Sequence, residues 1–264
     1  MKPIKIDLSS DLTELKLESF FDLHIGSPKC DVSLIHERID RVLKNPDTFC
    51  ILGGDLLNNS IVGSVAEADL FESPASPTEQ LNTAIRLFRP LADAGKILGV
   101  CCGNHEMRTY KKTGIDLMER FCSELNLLDR YDYVSCLLFI RFGDLGGSRH
   151  HKKVCYTCMF SHGMGQGGKL VGSKANGLQK RGEIIPNCDI VVTGHTHSPI
   201  TFKDAYFEID YGQSCIRKKE RLFVNVGATL NYEQYAELVG CKPSSTASPV
   251  IVLDGRRKFA KVVM

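Results

Sequence analysis

Residues 189–199 read DIVVTGHTHSP. The run Ile190, Val191, Val192 has the β-branched composition of a buried strand, and it ends on Gly194, His195, Thr196 and His197. Two imidazoles one residue apart at a strand end raise the question of what they hold. The same question recurs along the chain. TELKLESFF leads into Asp22 and His24, TFCILGG ends at Asp55, KILGVCC ends at Gly103, Asn104 and His105, and VCYTCMFS ends at His162. In open α/β sheets, sites form just beyond the carboxyl ends of strands. Taken singly, a histidine or aspartate after a strand is usually a turn or cap residue. Here five strand ends each deliver a residue able to ligate a metal or move a proton, and five of the eight histidines lie there. The other three, His36 on a predicted helix and His150 and His151 in a Gly/Arg-rich loop, read as surface residues.

The rest of the chain is ordinary by composition. Its 264 residues are 43% hydrophobic and 24% charged, enough to bury a sizeable core. A net charge of +2 gives no global electrostatic reason to bind nucleic acid or a membrane surface, and no apolar run nears the roughly 18–20 residues of a membrane span. The start, MKPIKIDLSSDLTELK, is too charged for a signal peptide. Eleven cysteines sit in apolar runs, the pattern of reduced, buried thiols in a cytoplasmic protein. Cys155 and Cys158 form a C-x-x-C, but strand alternation sends them to opposite faces.

Periodicity predicts a helix over 31–44, a helix opened by the capping box Ser76-Pro77-Thr78-Glu79 and stopped at Gly95, and a helix at about 114–126. Strands are expected at about 131–141, 153–161, 189–193, 199–209 and 215–226, with a helix at about 231–239 and a final strand pair around an Asp-Gly turn. The stretch Asn58–Ser76 has no firm period. The reading is one α/β domain over residues 1–264, a mixed sheet system covered by helices.

The donor types point to a metal. Two carboxylates, one amide and four imidazoles, without thiolate, suit a divalent ion such as manganese, iron, zinc, cobalt or nickel. Seven ligands exceed the need of one ion but suit two that share a bridging carboxylate and activate a water between them.

With these residues in place, the chain resembles the calcineurin-like metallophosphoesterases. That family's ordered signature stands here as Asp22-Leu23-His24, Gly54-Asp55, Gly103-Asn104-His105-Glu106, His162 and Gly194-His195-Thr196-His197. The resemblance implies two mixed β-sheets packed as a sandwich flanked by helices, with a dinuclear site at its rim and manganese as the foremost metal. It implies Asp22, His24 and His197 on the first ion, Asn104, His162 and His195 on the second, Asp55 bridging, and His105 as proton donor to the leaving group. FVNVGATL, residues 223–230, resembles the family's strand after the site. One position departs: Asn58 stands where many members carry an aspartate that orients the catalytic histidine. Asn58 can accept a hydrogen bond but cannot stabilise an imidazolium by charge. It joins Arg108, placed to hold a phosphate oxygen bidentately, as a candidate for substrate contact.

One loop carries two other motifs. Gly163–Gly168 fits G-x-G-x-x-G and Gly163–Lys169 fits G-x-x-x-x-G-K. Leu170 stands where a P-loop needs Ser or Thr, Gly172 and Gly177 argue against a following helix, and Glu183 falls short of the acidic position a dinucleotide site needs. A milder expectation is that these backbone amides, with Lys169 and Lys174, cradle a substrate phosphate.

The expected activity is therefore hydrolysis of phosphate mono- or diesters, a water activated between two divalent ions attacking phosphorus. Basic clusters at Arg108–Lys112 and Arg217–Arg221 keep a nuclease of the same fold open, and a non-catalytic binding scaffold is the rival from another class. No membrane partner is expected.

Overall fold

Two six-stranded mixed sheets lie face to face in the computed structural model, which describes all residues except 65–66, 68, 73–74, 147–151, 164–169 and 232–244. In the first sheet β2 (Glu14–Phe20), β3 (Thr48–Leu52), β4 (Ile97–Cys101) and β5 (Tyr131–Asp132) run parallel side by side, and β11 (Val250–Asp254) and β12 (Ala260–Val263) extend it antiparallel beyond β2. The second sheet has the order β1 (Lys2–Asp7), β6 (Ser135–Phe142), β7 (Val154–Ser161), β8 (Ile190–Thr193), β10 (Cys215–Asn225), β9 (Ile200–Asp210). Within it β7, β8 and β10 are parallel neighbours.

Helices cover both outer faces. α1 (Val32–Lys44), α3 (Pro77–Asp93) and α5 (Leu117–Glu124) lay Ile35, Ile39, Phe88 and Phe121 on Phe20, Leu52 and Val100 of the first sheet. The single turn α2 (Asp69–Glu72) precedes α3, and α4 (Glu106–Thr113) precedes α5. α6 (Val171–Gly182) packs Leu178 on Met159, Val191 and Phe223 of the second sheet. Between the sheets, Leu17, Ile51, Leu98, Leu138, Phe160 and Val192 form the sandwich core. β4 is buried along its whole length, as a parallel strand covered on both faces must be, and so reads ILGVC rather than alternating. The capping box is made: Ser76 Oγ accepts from Glu79 N at 3.3 Å and Glu79 Oε2 from Ser76 N at 2.6 Å.

Several expectations need correcting. The strand expected over 131–141 is two strands in different sheets, because Asp132 Oδ1 accepts from Val134 N and Ser135 N, both at 2.9 Å, and turns the corner. The helix expected at about 114–126 is α5, shorter at both ends, and a further helix not expected from the sequence, α4, precedes it. Gly114 ends α4 in the left-handed region and Asp116 caps α5. The segment after the Gly-rich loop is helical despite Gly172 and Gly177. At its last residue, Gly182, a Cβ would lie 2.5 Å from the Phe223 ring, so close packing on the sheet favours glycine there. β1 was hidden by its lysines, although Ile4 and Ile6 alternate inward. The last two strands are joined by a longer loop, 255–259. The expected helix at about 231–239, His150, His151 and Lys169 lie outside the described residues. Cys155 is half-buried and Cys158 buried in the sandwich core, so the C-x-x-C pair does diverge. No helix among the described residues is long and apolar enough to cross a membrane.

Candidate metal centre

β2, β3 and β4 point the same way in one sheet and β7 and β8 in the other, so their carboxyl ends gather at one rim. Backbone bonds stitch the emerging loops together. Asp22 N donates to Gly54 O at 3.2 Å, His24 N to Asp55 O at 3.0 Å and Gly194 N to His162 O at 2.9 Å. Five rim residues have left-handed backbone: Asp22 (φ 52°), His24 (50°), Asp55 (50°), His195 (66°) and His197 (53°). For residues with a Cβ this conformation costs about 1–2 kcal/mol each, and such strain gathers where function fixes the side-chain direction.

Each carboxylate is anchored by one oxygen and offers the other. Asp22 Oδ2 accepts from His195 N at 2.8 Å and Asp55 Oδ1 from His105 N at 2.8 Å. The motif glycines make this possible: a Cβ on Gly194 would lie 2.5 Å from Asp22 Oδ2, and one on Gly103 2.2 Å from Asp55 Oδ1. Asp22 Oδ1 is buried without a hydrogen-bond partner. Asp55 Oδ2 faces His162 Nε2 at 3.1 Å and His105 Nε2 at 3.7 Å.

The imidazoles complete a ring of acceptors. His162 Nδ1 donates to Gly53 O at 3.0 Å, since a carbonyl can only accept. In the neutral ring Nε2 is then a lone pair, and it faces Asp55 Oδ2, Asn104 Oδ1 at 2.9 Å and His195 Nδ1 at 3.2 Å. His24 Nε2 meets His197 Nε2 at 3.3 Å, and His197 Nε2 lies 3.4 Å from Asp22 Oδ1. Ligand atoms of Asp22, His24 and His197 fall within 4.8 Å of one another, as do those of Asp55, His162 and His195, and those of His24, Asp55 and His105.

The electrostatics ask for positive charge. Burial opposes ionisation of both aspartates, yet His197 and His162 hold Asp22, and His162 and His105 hold Asp55, below the usual carboxylate range. Burial also opposes charge on His162, but Asp55 and then Asp22 raise its pKa to about 10. His197 is raised for the same reason by Asp22. His24 and His195 are lowered, first by burial and then by neighbouring imidazoles. The orphaned carboxylate oxygen, the opposed Nε2 atoms and the N/O donor set all fit divalent cations.

His105 stands between this ring and α4. Its Nδ1 donates to the backbone carbonyl of Asn58 at 2.6 Å, and its Nε2 accepts from Arg108 at 2.9 Å. Burial lowers its pKa; Asp55 opposes this and Arg108 adds to it. Asn58 thus orients His105 through its main chain, while its side-chain amide donates to Ser60 at 3.0 Å. Arg108 also donates to Asn58 O at 3.3 Å. Lys174 gives its ammonium to Thr196 O at 3.1 Å and Ser198 Oγ at 2.5 Å. The basic run on β10 is largely neutralised: Arg217 meets Asp210 at 2.7 Å, Lys219 meets Glu208 at 3.6 Å, and buried Arg221 meets Glu183 and Asp204.

Two positioning residues escape a reading confined to ligand types. Glu106 is buried, with Oε2 accepting from Asp55 N and Gly103 N, both at 3.0 Å, and Oε1 from Leu57 N at 2.9 Å. It clamps the β3 loop to the β4 loop, and burial followed by Asp55 raises its pKa to about 7. Asn225 donates to Thr196 Oγ1 at 2.8 Å and Ser198 O at 2.7 Å and accepts from Thr193 Oγ1 at 2.8 Å, fixing the loop of His195 and His197. Their signals were the Glu inside GNHE and the Asn ending the strand before an Asn-x-Gly turn.

No protein-family model and no curated protein sequence matches this chain. Among solved structures it is similar to a conserved uncharacterised protein of Streptococcus pneumoniae TIGR4, a predicted phosphoesterase, at 15% identity and TM-score 0.35, covering 95% of this chain and 97% of that one. It is also similar to a double mutant of Vps29 from Entamoeba histolytica, at 12% identity and TM-score 0.37 over 95% and 98% of the two chains. Wild-type Vps29 from the same organism, complexed with zinc, aligns at 13% identity and TM-score 0.34 over 91% and 86%. What makes the architecture recognisable is its own topology: two six-stranded mixed sheets face to face, with five strand ends meeting at one rim in the order of the motifs. This is the helix-flanked sandwich with its site at the rim that the motifs' resemblance implied.

Proposed function

We infer that this protein hydrolyses phosphate esters with two divalent metal ions at the rim, as one calcineurin-like domain over residues 1–264. The observation that carries the reading is the convergence of Asp22 Oδ1, Asp55 Oδ2 and the Nε2 atoms of His24, His162 and His197, a cluster of lone pairs that divalent cations would satisfy. Asp22, His24 and His197 would hold one ion and Asn104, His162 and His195 the other, with Asp55 between; manganese leads, ahead of iron, zinc, nickel and cobalt. Bound there, the pair would lower the pKa of a shared water and neutralise charge on phosphoryl oxygens.

The chain's own residues supply the rest. Arg108 is the charged donor for a phosphoryl oxygen, with a geometry that reads such oxygens in pairs. Once Arg108 turns to substrate, His105 Nε2 is freed to take up a proton from solvent and pass it to the departing alkoxide. Asn58 supports that imidazole by its carbonyl, and Glu106 holds the two loops that carry Asp55 and His105. Buried thiols in apolar runs support a cytoplasmic setting.

The test is turnover of p-nitrophenyl phosphate and bis-p-nitrophenyl phosphate by metal-stripped protein after adding back each divalent ion, with His197→Ala alongside. Activity that returns with metal and vanishes in the variant supports the hydrolase, and the better substrate separates mono- from diesterase. Two bound ions without cleavage of either ester would favour the scaffold reading, which the Arg108 hydrogen bond to His105 Nε2 also suits. Absence of metal binding would remove both.

A further inference from the structure

Behind the loop of His195 and His197 lies a cavity of about 220 Å³, between that loop and α6. We propose that it is an anion-binding subsite, which receives a negatively charged substituent on the organic part of the substrate. The assignment rests on the phosphoesterase reading for its link to catalysis, though not for the binding itself.

Among the described residues the lining has one sign of charge: Lys174, Lys180 and Arg181 contribute three cations and no carboxylate. Arg181 is half-buried, and among the described residues its guanidinium has no hydrogen-bond or ion-pair partner. Elsewhere among the described residues, buried and half-buried arginines are matched. Buried Arg38 binds Glu18, buried Arg221 binds Glu183 and Asp204, and half-buried Arg41, Arg108 and Arg130 each have an acceptor. A partly desolvated cation without an acceptor is costly, so its retention beside a candidate active site points to an acceptor that arrives with a ligand.

Size and wall chemistry narrow the class. Leu178 and Ile184 make part of the wall apolar, and a cavity of roughly 150 Å³ already admits benzene. The space is smaller than the roughly 300–1,000 Å³ of sites that enclose whole drug-sized ligands. It suits one ring or short chain bearing an anionic group. Continuity with the rim comes from Gly163, Gly194 and Thr196, chain neighbours of His162 and His195 that also line it.

The experiment compares phenyl phosphate with 4-carboxyphenyl phosphate, following phosphate release by metal-loaded protein. Intrinsic reactivity differs between the two esters, so the readout is the ratio of their kcat/KM values in wild type and in Arg181→Met. A charge-assisted contact predicts that the ratio falls roughly ten- to a hundredfold in the variant. Lys180→Met, at an exposed position of the same helix, should lower it in the same direction by less. An unchanged ratio in Arg181→Met with the fold intact by circular dichroism overturns the subsite. If wild type cleaves neither ester, the hydrolase reading fails on its own account, and calorimetry with 4-carboxyphenyl phosphate then decides the cavity. Binding that is lost in Arg181→Met upholds the subsite; no binding by wild type overturns it.

Discussion

Two buried charge clusters lie one above the other along β2, and they differ in charge matching and in backbone strain. The lower one is built on Arg38 and Glu18, both almost fully buried. Arg38 Nε donates to Glu18 Oε1 at 2.8 Å, and its other nitrogens reach Thr229 Oγ1 at 3.1 Å, Ser19 O at 2.6 Å and Ser248 Oγ at 2.7 Å. Charge is matched there, with Arg41 Nη1 a further 3.6 Å from Glu18 Oε2; that oxygen and Ser19 Oγ have no hydrogen-bond partner, yet none of Glu18, Ser19 and Arg38 has left-handed backbone. At the rim above, acceptors face acceptors around Asp22 Oδ1, and five residues sit in left-handed backbone. Burial alone does not mark a functional charge; an excess of lone pairs held on strained backbone does.

The sharpest way to break this contrast is Asp22→Asn. The amide keeps an oxygen for His195 N–H and gives up the charge at the orphaned position. Metal-restored ester hydrolysis should fall by roughly 10²–10³-fold or more, while metal-free stability in urea stays within about 1 kcal/mol of wild type. Loss of activity matched by an equal loss of folded protein would mean that the rim is structural after all.

Arg38→Met should do the opposite. Leaving buried Glu18 with only the partly exposed Arg41, 3.6 Å away, costs up to about 3–5 kcal/mol, read as a lower urea midpoint. Removing the partner as well, in Arg38→Met with Glu18→Leu, should recover most of that loss. A single variant as stable as wild type would show the lower pair to be unimportant to the fold.

Much of this contrast was legible in the sequence, for a physical reason. Strand ends carrying Asp, Asn and His, with glycines before them, are local patterns, and a parallel sheet must bring such ends together. Asp22, His24, Asp55, Asn104, His162, His195 and His197 do meet at one rim. What stayed hidden was non-local. The hydrogen bonds of Glu106 to Asp55 N and Leu57 N, and that of His105 to the Asn58 carbonyl, depend on backbone atoms that no side-chain pattern names. The lysines of β1 masked its alternation, and Gly172 and Gly177 looked like helix breakers, although α6 runs through both. The same blindness hid the unmatched Arg181.

Glu106 shares a trait with each cluster: it is charged and buried, yet it serves the rim by structural means. Glu106→Gln keeps the shape but turns an N–H₂ toward backbone N–H groups at one of its two oxygens. The expected cost is about 1–3 kcal/mol, and metal affinity should weaken by roughly ten- to a hundredfold, as when a group supporting a ligand is lost. Calorimetric titration of metal into the variant measures the second effect separately from urea unfolding. An unaltered metal affinity would place Glu106 with Arg38 rather than with the rim.

The smallest effect tests the strain itself. His197 holds φ 53°, a conformation that glycine adopts freely and alanine does not. His197→Ala and His197→Gly both remove the ligand, so both should lose metal-restored hydrolysis. Their metal-free stabilities should differ, with glycine more stable than alanine by about 1 kcal/mol, whereas in ordinary backbone glycine is the worse residue because of its larger unfolded-state entropy. The sign of that difference is the informative quantity. Glycine above alanine means the rim holds its imidazole against the backbone's preference, and alanine above glycine means the left-handed turn costs nothing and the two clusters differ only in their charges.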